Sequence, residues 1–478
     1  MPVGDLLPEI CLLLGAVAIV LASSFLPQRR LGWMAGLALL AITCSAGFAL
    51  AQWGQPARLT FSGVWALDGP AIAAKLIMLA AVAVVVALSP RWFAQDHRHG
   101  EFYALLLFSL LGVIMLASAS DSMELLVGML LSSAASYPLA AFHRGFAPAL
   151  EAGMKYFLIG ALTNTLLCIG VVWLFGLTGD TGYPEIAARL AQGVDGLPLL
   201  VATGCIVIGL TFKLAAFPAH AWMPDVAQAS PAPAAAFLTV IPKIGAAVAL
   251  ARFVTLLPPS PEVTMLIALL AAITMTLGNL AALWQRDVRR LLGWSAVAQS
   301  GFALMAVAVI QTSPDALPSL LLFLLTYAVA NLAAFSVVIQ LRGRTALDDY
   351  AGLARAAPGP ALVLTVALLS LVGIPPLVGF FGKFLVYRTT LEGGFGWLAL
   401  IAVLNSAVSL FYYLRVAGIM VFNRPAAAVH RLEGFSWIVM WSVGILLLLG
   451  GLCIELLVNA LQHVGSFAAS GLGGSGYL

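Results

Sequence analysis

The chain has 478 residues, of which 62% are hydrophobic and 9% charged, and its formal net charge is +3. A water-soluble domain needs a far more charged surface, so this composition excludes a soluble enzyme or binding module. No basic run or patch indicates nucleic-acid binding. The five cysteines show no CxxC spacing, so we expect small buried thiols and not disulfide, haem or iron–sulfur ligands.

Segments of about 20 apolar residues recur from end to end, and each can cross a hydrocarbon core of roughly 30 Å. The sequence therefore predicts an all-α integral membrane protein with one polytopic domain over residues 1–478 and about fourteen transmembrane helices. The predicted spans lie near residues 7–25, 32–52, 70–89, 102–118, 122–142, 150–176, 198–218, 232–253, 262–284, 290–310, 316–341, 361–388, 396–420 and 436–460.

Arginine residues mark one side of the membrane by recurring in alternate loops. They are Arg29, Arg30, Arg91, Arg98, Arg144, Arg286, Arg289, Arg290, Arg342, Arg344, Arg355, Arg424 and Arg431. The intervening loops contain little beyond Arg58 and Arg189. Because short cytoplasmic loops carry the excess of basic residues, this arginine-rich side is predicted to be cytoplasmic. Both termini are then predicted to be periplasmic, in the inner membrane of a bacterium.

Lysine is distributed differently, since every lysine lies within an apolar segment. The five are Lys75, Lys155, Lys213, Lys243 and Lys383. A cation at the bilayer centre costs ~2.5–3.5 kcal/mol on insertion scales, so intramembrane lysines indicate function. A buried lysine can exchange its proton where arginine stays charged, which indicates proton carriers. The alternative is that some of them snorkel to an interface, and it applies most to Lys75, close to a helix start.

Two of the predicted spans are interrupted beside a lysine. Lys213 precedes a run that is broken by four prolines and carries His220 and Asp225, while Lys383 follows the Gly-Ile-Pro-Pro sequence at 373–376. The two spans run in opposite directions, and discontinuous helices at equivalent places are typical of inverted repeats. We therefore predict discontinuous helices 7 and 12. The predicted units are helices 1–3 (about 7–100), a first repeat of helices 4–8 (102–253), a second repeat of helices 9–13 (262–420), and helix 14 (436–460).

Three further polar positions have more than one interpretation. Glu151 and Lys155 are four residues apart on one helix face and can pair directly, as part of a proton path or as a surface ion pair. His220 titrates near neutrality and can relay protons, or it can make a purely structural hydrogen bond. Glu124 follows Asp121 at a helix start and can simply favour the positive end of that helix.

The stretch FKLAAFPAHAWMPDVAQASPAPAAAFLTVIPKIG, from Phe212, resembles the signature of the antiporter-like membrane subunits of respiratory complex I (NADH:quinone oxidoreductase). Mrp-type cation/proton antiporters and membrane hydrogenases share this superfamily. RDVRRLLGWSAVAQSGFAL, from Arg286, and GIPPLVGFFGKFLVY, from Gly373, fit the same family. The lysine in the second of these, and the Glu151–Lys155 pair, are most similar to subunit N.

The resemblance implies a central proton path. Lys213 would be the lysine of broken helix 7, Lys243 the connecting lysine of helix 8, and Lys383 the lysine of broken helix 12, with His220 joining them through ordered water. It also implies that this chain carries no cofactor. NADH, FMN, iron–sulfur clusters and quinone are expected in partner subunits of the membrane and peripheral arms.

One position departs from the family pattern. In helix 5 the family reads roughly V-G-L-E-L, whereas this chain has Leu130 where that glutamate is expected. The resemblance therefore implies that Lys213 lacks its usual carboxylate partner, unless Glu124 or Glu151 substitutes from a different position. Its coupling path would then be shifted or its pumping reduced. Simple replacement by Glu124, six residues away, is not expected from the geometry of a helix.

The residues and the resemblance together favour a proton-translocating subunit of an NADH:quinone oxidoreductase, embedded in the lipid bilayer. An Mrp-type cation/proton antiporter subunit would use the same lysines without redox partners. A membrane spacer that docks other subunits without conducting is an alternative from a different class, since Leu130 replaces an expected proton-path residue.

Overall fold

The computed structural model describes residues 3–26, 32–94, 96, 98–193, 196–424, 434–462 and 464–468. The helices of the first half are α1 (Leu7–Phe25), α2 (Trp33–Gln52), α3 (Gly69–Leu88), α4 (His99–Ser118), α5 (Ser122–Ala140), α6 (Ala147–Thr178), α7 (Tyr183–Leu190), α8 (Leu197–Leu214), α9 (Trp222–Ala229) and α10 (Ala232–Leu256). Those of the second half are α11 (Pro261–Leu283), α12 (Val288–Ala308), α13 (Ala316–Gln340), α14 (Leu353–Ala356), α15 (Pro358–Val372), α16 (Val378–Glu392), α17 (Gly396–Phe422), α18 (Phe435–Leu452) and α19 (Ile454–Gln462).

Thirteen helices in these described ranges are long and apolar enough to cross a membrane. A fourteenth crossing is supplied jointly by α15, which is apolar but short, and by α16 after a break. The prediction of an all-helical membrane protein with about fourteen crossings is confirmed. The division into two inverted repeats of five helices stays a prediction.

Both predicted interruptions are present. Helix α8 ends at Leu214, and Ala215 takes the left-handed conformation with a φ of +54°, after which α9 begins at Trp222. Helix α15 ends at Val372, and the following Gly373 has a φ of +95°, which suits a residue without a Cβ. The breaks leave backbone carbonyl groups without intrahelical partners beside Lys213 and Lys383.

The structure also departs from the predicted boundaries. The loop predicted after α2 contains a small antiparallel hairpin of β1 (Arg58–Thr60) and β2 (Trp65–Leu67), and short helix α7 lies in the loop after α6. The last predicted span, 436–460, is two helices, since α18 ends at Leu452 and α19 is a separate segment. The run of apolar residues continues across that junction, because α19 is itself rich in Leu and Val.

Three helices form the centre of the molecule. The most apolar 18-residue window is 100% buried in α10, 94% in α12 and 89% in α13, against 28% in α18. Helix α10 packs against α3, α4, α8 and α13, while α12 packs against α9, α11, α13 and α16. Polar groups carried by α10 and α12 are therefore held away from lipid, between the two broken helices.

Candidate functional site: a buried lysine axis

Lys213 lies in the last turn of α8 and is fully buried. Its Nζ is 3.5 Å from the Tyr156 hydroxyl of α6 and 5.8 Å from the centre of that ring. Tyr156 in turn stacks on Trp222, with ring centroids 4.1 Å apart. Within the described part of the chain, no ion pair includes Lys213. Its surroundings are aromatic, as expected for a lysine without a carboxylate partner.

Lys243 occupies the middle of α10 and reaches across to α12. Its Nζ donates to the Ser300 hydroxyl at 2.5 Å and to the Ala296 carbonyl oxygen. The Ser300 hydroxyl donates in turn to the Leu214 carbonyl oxygen, at the break that follows Lys213. One hydroxyl thus connects the amine of Lys243 to the open end of α8.

Lys383 is held at the second break in a similar way. Its Nζ lies 3.1 Å from the Val372 carbonyl oxygen and 3.4 Å from the Ser406 hydroxyl of α17. The Phe302 ring of α12 lies 4.3 Å from the same ammonium. The Ser406 hydroxyl is also 2.7 Å from the Tyr387 hydroxyl, which extends the polar contacts along α16.

Helix α12 joins the two breaks through adjacent residues. Ser300 bonds the Leu214 carbonyl at the end of α8, and the Gln299 amide donates to the Leu371 carbonyl at the end of α15, at 3.1 Å. Carbonyl groups freed by a helix break need partners at membrane depth. Sequence reasoning named the three lysines but missed Gln299 and Ser300. The available signal was the adjacent Gln299 and Ser300 in the middle of a predicted membrane span.

His220 lies in the segment between α8 and α9 and is half-buried. Its ring centroid is 5.8 Å from that of Trp294 and 6.0 Å from that of Phe217. Its Nδ1 is buried without a hydrogen-bond partner among the described residues. The structure therefore places His220 at the break without a direct bond to a lysine, and its relay role stays a prediction.

Glu151 and Lys155 form an ion pair near the start of α6, with side chains 67% and 45% exposed. The Lys155 Nζ also lies 2.8 Å from the Asp225 carboxylate of α9, and the other oxygen of that carboxylate lies 2.5 Å from Arg290 of α12. These groups line a cleft of about 430 Å³. The pair is exposed in the isolated chain, and it is also joined to the short helix that follows the first break. The sequence pattern alone assigns no role to Asp225.

A second polar cluster lies near the other ends of these helices. The Lys75 Nζ is 2.5 Å from Glu9, with side chains 1% and 7% exposed, so the snorkelling alternative for Lys75 is wrong. Arg252 makes two bonds to Asp68, at 2.6 and 2.9 Å, and both side chains are completely buried. Sequence reasoning missed Arg252 because arginine was assigned to loops and helix ends. Its position inside the apolar α10 was the available signal.

Leu130 lies on the surface of α5, where its side chain is 51% exposed. Helix α5 packs against α6, and α6 packs against α8, which carries Lys213. Whether the residue at position 130 decides if Lys213 has a carboxylate partner stays a prediction.

Replacing Ser300 by alanine should lower proton transfer by several fold, since it removes the hydroxyl between Lys243 and the α8 break. The protein should still assemble, because each buried hydrogen bond contributes only about 0.5–1.5 kcal/mol to stability, and Lys243 keeps its bond to the Ala296 carbonyl oxygen. Ser336→Ala is the matched control, since among the described residues the hydroxyl of that buried serine bonds only Ala333 of its own helix. Equal proton-transfer rates for the two variants in membrane vesicles would remove Ser300 from the path.

Comparison with known proteins identifies the family of this chain. The family described as "NADH:quinone oxidoreductase/Mrp antiporter, TM" matches residues 119–409, which include all three lysines of the axis. NADH-quinone oxidoreductase subunit N of Mycobacterium sp. (strain JLS) is 44% identical over 411 residues, covering 86% of this chain and 87% of that protein. Subunit N 1 of Streptomyces griseus subsp. griseus is 40% identical and covers 96% and 98%.

Solved structures share the fold. A chain of respiratory complex I from Thermus thermophilus with bound aureothin superposes with a TM-score of 0.83 at 33% identity, covering 96% of this chain and 100% of that one. A chain of the Mrp complex from Dietzia sp. DQ12-45-1b gives a TM-score of 0.83 at 20% identity, covering 99% and 98%, and shows a common fold. The chain belongs to the family of membrane subunits shared by NADH:quinone oxidoreductases and Mrp antiporters.

Proposed function

We propose that this chain is an N-like, proton-translocating membrane-arm subunit of an NADH:quinone oxidoreductase. The observation that carries the proposal is the pair of adjacent α12 residues, Gln299 and Ser300, which bond the two helix breaks beside Lys213 and Lys383. Relatives named subunit N, at 44% and 40% identity over most of the chain, support the same assignment. The oxidoreductase would include further membrane and peripheral subunits, which hold NADH, FMN, the iron–sulfur clusters and quinone.

Proton movement along this axis follows from the contacts of each lysine. An ammonium group donates from Nζ to a hydroxyl, and the neutral amine that remains can accept the next proton. The Ser300 hydroxyl accepts from Lys243 and lies within hydrogen-bond distance of the Leu214 and Ala296 carbonyl oxygens. We propose that a proton passes between Lys213 and Lys243 through this hydroxyl and hydrogen-bonded water. Burial makes each charged intermediate sensitive to nearby charge, because the low dielectric screens it little.

The arginine-rich side offers a route by which protons reach the axis. Glu151, Lys155 and Asp225 form a continuous set of ionisable groups from the half-exposed start of α6 to α9. Asp225 is five residues after His220, on the segment that follows the first break. We propose that these groups and His220 pass protons from that side to Lys213.

Orientation is proposed from the loops. The arginine-rich side faces the cytoplasm, the membrane is the bacterial inner membrane, and both termini are periplasmic. Arg29, Arg30 and Arg431, which contribute to this pattern, lie outside the described residues. The remaining arginines of the pattern are on loops and helix starts that alternate along the chain.

A cation/proton antiporter subunit is the second candidate, because a chain of the Mrp complex shares the whole fold. Native electrophoresis of mildly solubilised membranes, with this chain detected beside an in-gel NADH-oxidation stain, separates the two. We expect the chain in a large NADH-oxidising band. Migration in an assembly without NADH oxidation, together with sodium-dependent proton exchange in vesicles, would favour the antiporter.

A further inference from the structure

Glu124 stands in the first turn of α5, on the side of the membrane opposite the arginine-rich loops, here called the outer side. Its Oε2 is buried and has no hydrogen-bond partner among the described residues. It is close enough to Asp121, Arg252 and Glu9 for their charges to act on it. Glu124 is not required to cap α5, since the Asp121 side chain already does so by accepting from the backbone N–H of Met123 at 2.6 Å.

The neighbouring charges are all engaged elsewhere. Arg252 is bound to Asp68 through both oxygens of that carboxylate. The other contacts in this cluster pair Lys75 with Glu9 at 2.5 Å and join the second Asp121 oxygen to the Thr181 hydroxyl at 2.7 Å. Four carboxylates therefore share two cations, which leaves Asp121 and Glu124 without one. Asp121 accepts from backbone N–H groups and from Thr181, whereas no hydrogen bond or ion pair of the Glu124 carboxylate is found among the described residues. A buried, unpaired carboxylate is unfavourable as an anion, and binding a proton removes that charge.

A second observation is that this region contains several buried hydroxyl groups without hydrogen-bond partners among the described side chains. Tyr183 of α7 is 1% exposed, its hydroxyl has no partner among the described residues, and it lies within electrostatic reach of Glu124, Asp121 and Arg252. The hydroxyls of Ser118 and Ser120, just before α5, are also buried without a hydrogen-bond partner among the described residues. Buried polar groups without protein partners are commonly satisfied by internal water. The cluster has the chemistry of a hydrated proton site.

The position of the cluster relates it to the lysine axis. Arg252 and Lys243 are on the same helix, nine residues apart, which is about 13 Å along the helix axis. The cluster therefore lies between the middle of the membrane and the outer surface. The groups that face it are Glu9 from α1, Asp68 and Lys75 from α3, Asp121 from α5, Tyr183 from α7 and Arg252 from α10.

We propose that Glu124 is a proton-release group on the outer side, which takes protons from the lysine axis through internal water and passes them to the outer surface. This inference rests on the proposed function. An O–H bond forms at the Glu124 carboxylate when a proton arrives and breaks when that proton leaves, and no electrons are transferred.

The test compares two first-turn glutamates at outer helix ends. Glu124→Gln keeps size and polarity but cannot carry the proton, and we expect NADH-driven proton pumping in inverted membrane vesicles to fall several-fold. Glu262→Gln is the matched control, since Glu262 of α11 is exposed and its carboxylate bonds Ser260; its pumping should be unchanged. Glu124→Asp should restore part of the lost pumping. Assembly of each variant is checked by native electrophoresis.

A readout that does not depend on pumping separates proton binding from a structural role. Infrared difference spectra of the assembled complex between two pH values should contain a carboxylic-acid carbonyl band that is lost in Glu124→Gln and kept in Glu262→Gln. Native-level pumping by Glu124→Gln, or an identical carboxyl spectrum, would overturn the proposal. If Lys243→Met abolishes pumping while Glu124→Gln does not, only this inference fails; if neither variant changes pumping, the proposed function fails too.

Discussion

Lys243→Met should reduce NADH-driven proton pumping by at least about tenfold, the effect of roughly 1.4 kcal/mol on a barrier. Methionine fills nearly the same space, so the core of α10 stays packed. It cannot bind a proton or bond Ser300, however, and the two halves of the axis are then separated. The measurement is the initial rate of acidification of inverted vesicles, recorded beside the rate of NADH oxidation.

Arg388→Met is the control for removing a cation from a span. Arg388 is 55% exposed near the end of α16 and pairs with Glu392 of its own helix. Exposed pairs of this kind contribute little, with measured values of about 0.2–1 kcal/mol. Pumping and assembly should both stay at the native level. A similar fall in pumping for the two variants would mean that Lys243 acts only through general stability.

Arg252→Met should have the largest effect on stability of any single change discussed for this chain. Removing one partner of a fully buried ion pair costs about 3–5 kcal/mol, because the remaining charge is left unpaired. Here that charge is Asp68, whose side chain is 0% exposed. The thermal midpoint of the detergent-solubilised complex should fall, and less of the chain should be found in the assembled band.

The double variant Arg252→Met with Asp68→Asn tests the cause. Removing both charges leaves no buried ion, so this protein should be more stable than Arg252→Met alone. Asp68 also accepts from the backbone N–H of Ala71 at the start of α3, and asparagine can keep that cap. Additive losses in the double variant would show that the two side chains do not act as a pair.

The fold was largely predictable because a span of about 20 apolar residues has few alternatives to a transmembrane helix. Proline and glycine beside Lys213 and Lys383 located both breaks. The predicted helix boundaries were wrong where apolar composition alone does not determine the backbone conformation, as at the junction of α18 and α19. The hairpin of β1 and β2 is short, and its pairing depends on turn conformation that the residue pattern alone did not indicate.

The site was predictable in its lysines and not in their partners. Lysine in an apolar span is conspicuous by its charge, whereas Gln299 and Ser300 are ordinary residues whose role depends on which helix α12 packs against. The pairing of Arg252 with Asp68 joins residues 184 positions apart, and no local pattern reports it. Leu130 illustrates the same limit, since its position on the exposed surface of α5 depends on how the helices pack.

Lys213 gives the most direct test of the central claim that both broken helices belong to one proton path. The measurement is the number of protons pumped per NADH oxidised by the purified, reconstituted complex, for the native protein and for Lys213→Met. If the axis runs through Lys213 without a carboxylate partner, the ratio falls while the complex remains assembled. An unchanged ratio with full NADH oxidation would show that this half of the chain carries no protons and that the axis does not begin at Lys213.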